Sequence, residues 1–431
     1  MDKKTAFDYT IHYISRQEER KKNRSQNHLK KNLIQEKNFI YRIFSILILL
    51  TIMFMASLLP KKKKFVKKEN AYAYISLPKR KKLINNSLQE MVINDVIEYI
   101  DNIGKKTLAY VEPSTKMLLY SKINLNSFWS ICIVFLKVLS HLNKKDQLSF
   151  EVAHSALRFI IYIYVNYFSI SKQNIKSAFF IAEYGCFQAS FIACCKILKV
   201  DVFAFQHGII RDTHTGYIFE KNSYGSYKGL LPDRLLVWSD FEVKKLIKLG
   251  WNRDKLFNLR IYSKSFEKQI SFPKIKTIEF ISQAHGIKLD LIIEICEKIV
   301  KSNKINDLEL NYKAHPNEPT TVSKLIKSKF HNKIKISNYD GFKKDTLYLT
   351  IASSRGFEAI MHGNRCLQID TNGLWGKLID DTDIAGFHYT KKLFSLDKVI
   401  NKIVNKEERY RSGSTIINHK NGILNSINLL L

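Results

Sequence analysis

The spacing of apolar and polar positions changes character several times along the chain. Between residues 71 and 239, short apolar runs bounded by turn residues predict buried strands. These are AYAYISL (71–77), TLAYVE (107–112), SAFFIAE (177–183), DVFAFQ (201–206) and RLLVWS (234–239). Between them, FQASFIACCKILK and DFEVKKLIKLG carry apolar residues at i, i+3 and i+4, and the second ends at Gly250, a suitable helix C-cap. A second alternating series follows the basic, aperiodic connector KQISFPKIK, which contains Pro273. Strand TIEFIS (277–282), helix LDLIIEICEKIVKS and strand DLELNYKA come first. Helix TTVSKLIKSKF, strands KIKIS and TLYLTIA (346–352), helix RGFEAIMHG and strand RCLQID (365–370) follow. Strands alternating with helices predict parallel sheets built by right-handed crossovers. Two such series in tandem predict an α/β chain of two Rossmann-like domains facing a cleft.

Before residue 71 the pattern differs. IFSILILLTIMFMASLL (43–59), preceded by NFIYR, approaches the roughly 20 apolar residues that cross a bilayer. Basic runs RQEERKKNR, KKKKFVKK and PKRKK lie on both sides, so the positive-inside rule gives no orientation. A helix over about 39–59 that spans the membrane, or one that lies on its anionic surface, fits this pattern; so does a buried core helix. The domain expectation is a basic tail over 1–70, an N-terminal Rossmann-like domain over 71–270 and a C-terminal Rossmann-like domain over 271–431. The expected location is the cytoplasmic face of the inner membrane.

The 431 residues carry 70 Lys and Arg against 39 Asp and Glu, a formal charge of +31 that favours anionic partners. Nucleic acid is disfavoured as that partner, because the basic residues cluster beside an apolar segment and no RNP-like or zinc-finger motif occurs. The six cysteines show no CxxC spacing and no paired histidines, so neither a zinc site nor a disulfide framework is expected.

Candidate chemistry stands at predicted strand ends, where open α/β sheets bind ligands. NYKAHPNEP contains two of the seven prolines. Pro316 removes a backbone donor and biases His315 toward extended geometry, so the imidazole beside Lys313 ends the strand. In IASSRGFEAIMHG, Ser353 and Ser354 open a helix whose free N–H groups and dipole suit a phosphate, although ordinary serine capping explains them as well. Glu358 falls outside a capping box and is available for a ribose hydroxyl. FAFQHG ends another strand on His207, a natural general base, and FFIAEYG ends one on Glu183.

Taken in order, QHG, KAHP and SSRGFEA resemble GT-B-fold transferases that use cytidine-nucleotide donors. The similarity spans roughly residues 175–375 and has two branches: bacterial sialyl- and Kdo-transferases of capsule and lipopolysaccharide synthesis, and teichoic-acid polyol-phosphate transferases. The resemblance implies that the first of the two domains takes the acceptor and the second the nucleotide donor, and that His315, Ser353 and Ser354 hold the donor phosphate. It implies His207 as base in the teichoic branch, and Glu183 in the sialyltransferase branch, where Tyr184 replaces the second acid of that motif. The implied activity is metal-independent transfer from a CMP- or CDP-linked donor to a glycan or lipid-linked hydroxyl, with no bound cofactor. Alternatives are a UDP-sugar transferase or epimerase, and a basic nucleic-acid-binding protein.

Overall fold

The computed structural model describes residues 1–26, 39–58, 71–76, 81–84, 87–90, 93–113, 118, 123–145, 149–181, 185–206, 210, 217, 229–259, 262–265, 270–283, 287–303, 308–315, 318–331, 333–339, 341–351, 353–361, 363–371, 386–405, 409–410 and 413–416. The chain divides into two compact units. One comprises Met1–His207 and His214–Leu259, the other Arg260–Gly422.

The first unit is built on a six-stranded parallel sheet. Its strands are β1 (Ala71–Ser76), β2 (Lys106–Val111), β3 (Ile175–Phe180), β4 (Asp201–Phe205), β5 (Arg234–Val237) and β6 (Leu256–Asn258), in the order β2-β1-β3-β4-β5-β6. Aromatic residues fill the layer over the sheet: Phe179 stacks on Phe203 at 5.4 Å, and Phe180 and Phe191 are fully buried. The helices are α1 (Lys3–Gln26), α2 (Phe39–Leu58), α3 (Asn94–Asn102), α4 (Leu125–Lys144), α5 (Phe150–Ile170), α6 (Cys186–Ile197) and α7 (Asp240–Lys248).

Helices α4 and α5 start where sequence dictates. Asn124 caps α4 by accepting from the Ser127 N–H at 2.8 Å, and Ser149 caps α5 by accepting from Val152. The N-terminal segment is more than the expected basic tail. Ala6, Thr10, Tyr13 and Ile14 form a buried stripe on α1, and Tyr13 stacks on Phe159 of α5 at 4.4 Å. The stripe is thin and embedded in charged residues, so it leaves little trace in the overall hydropathy.

The second unit holds another six-stranded parallel sheet: β7 (Thr277–Ile281), β8 (Glu309–Lys313), β9 (Lys335–Ile336), β10 (Thr346–Thr350), β11 (Arg365–Ile369) and β12 (Phe387–Thr390). Their order is β9-β8-β7-β10-β11-β12. Helices α8 (Leu289–Asn303), α9 (Thr320–Lys329), α10 (Ser354–Met361) and α11 (Leu396–Val404) complete the unit. The core lies between the sheet and α8, α9 and α11, with Ile278, Ile295, Leu310, Ile326, Leu347, Leu367 and Ile400 excluded from solvent. Strands β7, β10 and β11 are buried at every position, as strands covered on both faces must be. The 3-2-1-4-5-6 order reverses between β7 and β10, which opens a crevice beyond their carboxyl ends.

Candidate functional site

That crevice is built from three strand ends. Chain leaving β7 runs through Ser282 and Gln283, chain leaving β8 through Ala314 and His315, and chain leaving β10 through Ile351 and Ser353 into α10. Because β7 separates β8 from β10, His315 and Ser353 stand two strand spacings apart, about 10 Å.

His315 closes a turn: its carbonyl accepts from the Glu318 N–H at 2.8 Å. The turn is fastened to the sheet by the Glu318 carboxylate, which accepts from Ser282 Oγ at 2.5 Å and from Tyr312 Oη at 2.8 and 2.9 Å. Burial pushes the Tyr312 hydroxyl well above its ordinary pKa, so it stays a neutral donor. The half-buried His315 is therefore set by side chains from two adjacent strands.

Across β7, Ser353 caps α10. Its Oγ accepts from the Arg355 N–H at 3.3 Å, and its own N–H donates to Thr350 Oγ1 at 3.0 Å. Ser354 is the first residue of α10, and the half-buried Glu358 follows one turn later. The third position of the helix is Gly356, so no capping box engages Glu358.

The surroundings are cationic. Lys313 Nζ donates to the Tyr339 carbonyl at 2.8 Å. Arg355 donates to the Gly341 carbonyl at 3.0 Å and stacks over Phe342 at 4.5 Å. Burial raises the pKa of Glu279 on β7. A Ser337 hydrogen bond and the charges of Arg355, Lys313 and Lys343 pull it partly back.

The first unit positions its candidates differently. His207 and Glu183 lie outside the described residues, as does Pro316. Gln206, immediately before His207, is buried and clamped to Trp238. Its Oε1 accepts from the Trp238 N–H at 3.0 Å, and its carbonyl accepts from the indole Nε1 at 3.2 Å. Gly185, two residues after Glu183, is the N-cap of α6, and a Cβ there would lie 2.0 Å from Gln188 Oε1. The glycine of EYG thus has a packing reason of its own.

Sequence reasoning singled out Lys313, His315, Ser353, Ser354 and Glu358, and all five stand around one sheet edge. It passed over Ser282, Tyr312, Glu318, Thr350 and Arg355. An acidic residue three positions beyond a histidine and before Pro319 was the available signal for Glu318. Among the described residues, no three His, Cys, Asp or Glu side chains converge in a way that would hold a metal ion.

No protein-family model matches the chain, and no curated protein matches it. Solved structures do. The UDP-GlcNAc 2-epimerase of Methanocaldococcus jannaschii is similar over 84% of this chain and 99% of its own, at 12% identity and a TM-score of 0.50. The Neisseria meningitidis UDP-GlcNAc 2-epimerase bound to UDP-GlcNAc covers 84% and 98%, at 10% identity and a TM-score of 0.51. S. aureus MnaA with UDP covers 84% and 97%, at 10% identity and a TM-score of 0.50. At such identities the likeness shows the fold: two Rossmann-like domains of the GT-B type.

Proposed function

We propose that this chain is a glycosyltransferase that binds a nucleotide-linked sugar at the carboxyl edge of its second sheet and passes the sugar to a glycan or lipid-linked hydroxyl in surface-polysaccharide synthesis. The observation that supports this most is the pairing of the Glu318-fastened His315 turn with the Ser353-capped start of α10 on either side of the β7/β10 crevice. The positive dipole end of a helix start, an imidazole and nearby cations are complementary to a departing phosphate, whose charge grows as the glycosidic bond breaks. The proposed donor is CMP-linked, on the strength of the KAHP and SSRGFE motifs. The proposed base that deprotonates the acceptor is His207 or Glu183, each in a connection after a strand of the first sheet.

A second reading, use of a UDP-sugar for transfer or epimerisation, is favoured by the ligands bound in the fold neighbours, UDP and UDP-GlcNAc. Incubation of the full chain with CMP-, CDP- and UDP-linked sugars, following nucleotide release, separates the two. Release from CMP- or CDP-linked donors supports transfer from a cytidine nucleotide. Turnover of UDP-GlcNAc alone, with C2 inversion and no acceptor dependence, would replace it by the epimerase reading.

A further inference from the structure

Helix α2 carries Phe44, Leu47, Ile48, Thr51, Phe54, Met55 and Leu58 on one exposed face at i, i+3, i+4 and i+7 spacing. Its opposite face is engaged. Met53 and Ala56 are buried, and Ser45 Oγ lies 3.0 Å from Nε2 of His154 on α5; at the rim of the exposed face Phe54 meets Phe128 of α4 at 5.4 Å. Helix α4 runs antiparallel beside it, since Phe128 near its start meets Phe54, whereas Phe135 and Leu139 near its end line a groove with Ile46 and Leu47. It adds a stripe of its own: Leu125, Trp129 and Leu136, the last two 55% and 64% exposed. The groove between them, closed by Phe150 and Ala153 of α5, has a volume of about 350 Å³ and is almost wholly apolar.

The outer end of this face is basic. Lys3, Lys4 and Phe7 of α1 and Lys137, Ser140, His141 and Lys144 of α4 enclose a cavity of about 390 Å³. Nε2 of His141 is shielded from solvent there without a hydrogen-bond partner. Neither Phe39–Leu58 nor Leu125–Lys144 contains a carboxylate, and the sequence continues after α2 into KKKKFVKK.

We propose that α2 and α4 together form a monotopic membrane-docking face that enters one leaflet of an anionic bilayer, with acidic lipid headgroups held by the lysines around the α1/α4 cavity. Large exposed apolar patches rimmed by polar residues mark interaction surfaces. An in-plane amphipathic pair with lysines at its end is complementary to an acidic leaflet. A second copy of the chain would bring the same lysines and no countercharge on either helix. α4 is long and apolar enough to cross a membrane. It does not do so here, because Ile131, Val134, Val138 and Leu142 are buried in the unit, and α2 is bound laterally to α4 and α5. This inference does not depend on the donor chemistry proposed above.

Flotation of the full chain with vesicles tests it, using phosphatidylcholine alone and phosphatidylcholine with one part in three phosphatidylglycerol. The chain should float with the anionic vesicles, at least about tenfold more tightly than with neutral ones at low salt. The exposed double substitution Trp129→Glu/Leu136→Glu should abolish flotation, and Lys137→Glu/Lys144→Glu should remove the preference for phosphatidylglycerol. Trp129→Phe/Leu136→Met, which keeps the face apolar, should float normally and serves as the folding control. Undiminished flotation of the double Glu variant would overturn the proposal. So would a wild-type chain that ignores vesicles and is a dimer, converted by the double Glu variant to a monomer.

Discussion

The fastening of the His315 turn makes a quantitative prediction. In Tyr312→Phe the ring remains packed and the hydroxyl's hydrogen bonds are lost, chiefly that to the Glu318 carboxylate. A hydrogen bond to a charged acceptor contributes about 1.5–3 kcal/mol, and the half-buried position of Glu318 puts the expected loss near the lower end, about 1.5 kcal/mol. Glu318→Ala costs more, because it also strands the buried hydroxyls of Tyr312 and Ser282, for roughly 3 kcal/mol in all. The double variant should cost hardly more than Glu318→Ala, a coupling of about 1.5 kcal/mol. Urea titration of the four proteins gives the cycle, and for a unit of this size thermal scans should show a drop of roughly 6–12 °C for Glu318→Ala. Glu318→Ala keeps the backbone N–H that holds the His315 carbonyl but loses the side-chain ties of the turn to Ser282 and Tyr312, so it should also weaken nucleotide binding. A coupling near zero, or a destabilised Glu318→Ala with full nucleotide affinity, would refute the idea that this latch sets the histidine.

Further predictions follow from single contacts. Ser353→Ala removes the α10 cap and should cost about 1 kcal/mol in urea titration while weakening nucleotide binding, whereas Ser353→Thr should retain most of both. Gly185→Ala forces a methyl group into Gln188 and should lower stability by about 1–2 kcal/mol, with much of the loss recovered in the Gly185→Ala/Gln188→Ala double variant. Glu279 has its folded pKa raised, so the unfolded chain releases that proton more readily. The stability of wild type relative to Glu279→Gln should therefore fall as pH rises above the ordinary glutamate value, in denaturation measured from pH 4 to 8. A difference that grows with pH would mean that Arg355, Lys313 and Lys343 outweigh burial.

The central strands were legible because burial on both faces leaves nothing but apolar side chains. TIEFI, TLYLT and RCLQI begin at the positions the sequence predicts and end within two residues of them. The edge strands TLAYV and KI were legible too, but those at the other edges were not. LFN and FHYT are three and four residues long and mixed in polarity, too short to establish a period. Helices α4 and α5 escaped because dense aromatic and β-branched residues blur the distinction between a buried helix and a strand. The same limit applies at the site. His315 and Ser353 could be picked out by proline and by a strand-to-helix junction, both local in sequence. The tie of Glu318 to Ser282 exists only once β7 and β8 are paired, 36 residues apart along the chain. The apolar face on α4 was hidden for a related reason. Its exposed Trp129 and Leu136 look like any core residue until the buried side of the helix is known.

The central claim is a phosphate site between the His315 turn and the start of α10. Calorimetric titration of CMP into the full chain and into His315→Ala, at matched thermal stability, tests it most directly. A charge-assisted hydrogen bond of about 1.5–3 kcal/mol predicts a loss of affinity of roughly tenfold to a hundredfold in the variant. Equal affinity of the two proteins for CMP would contradict it.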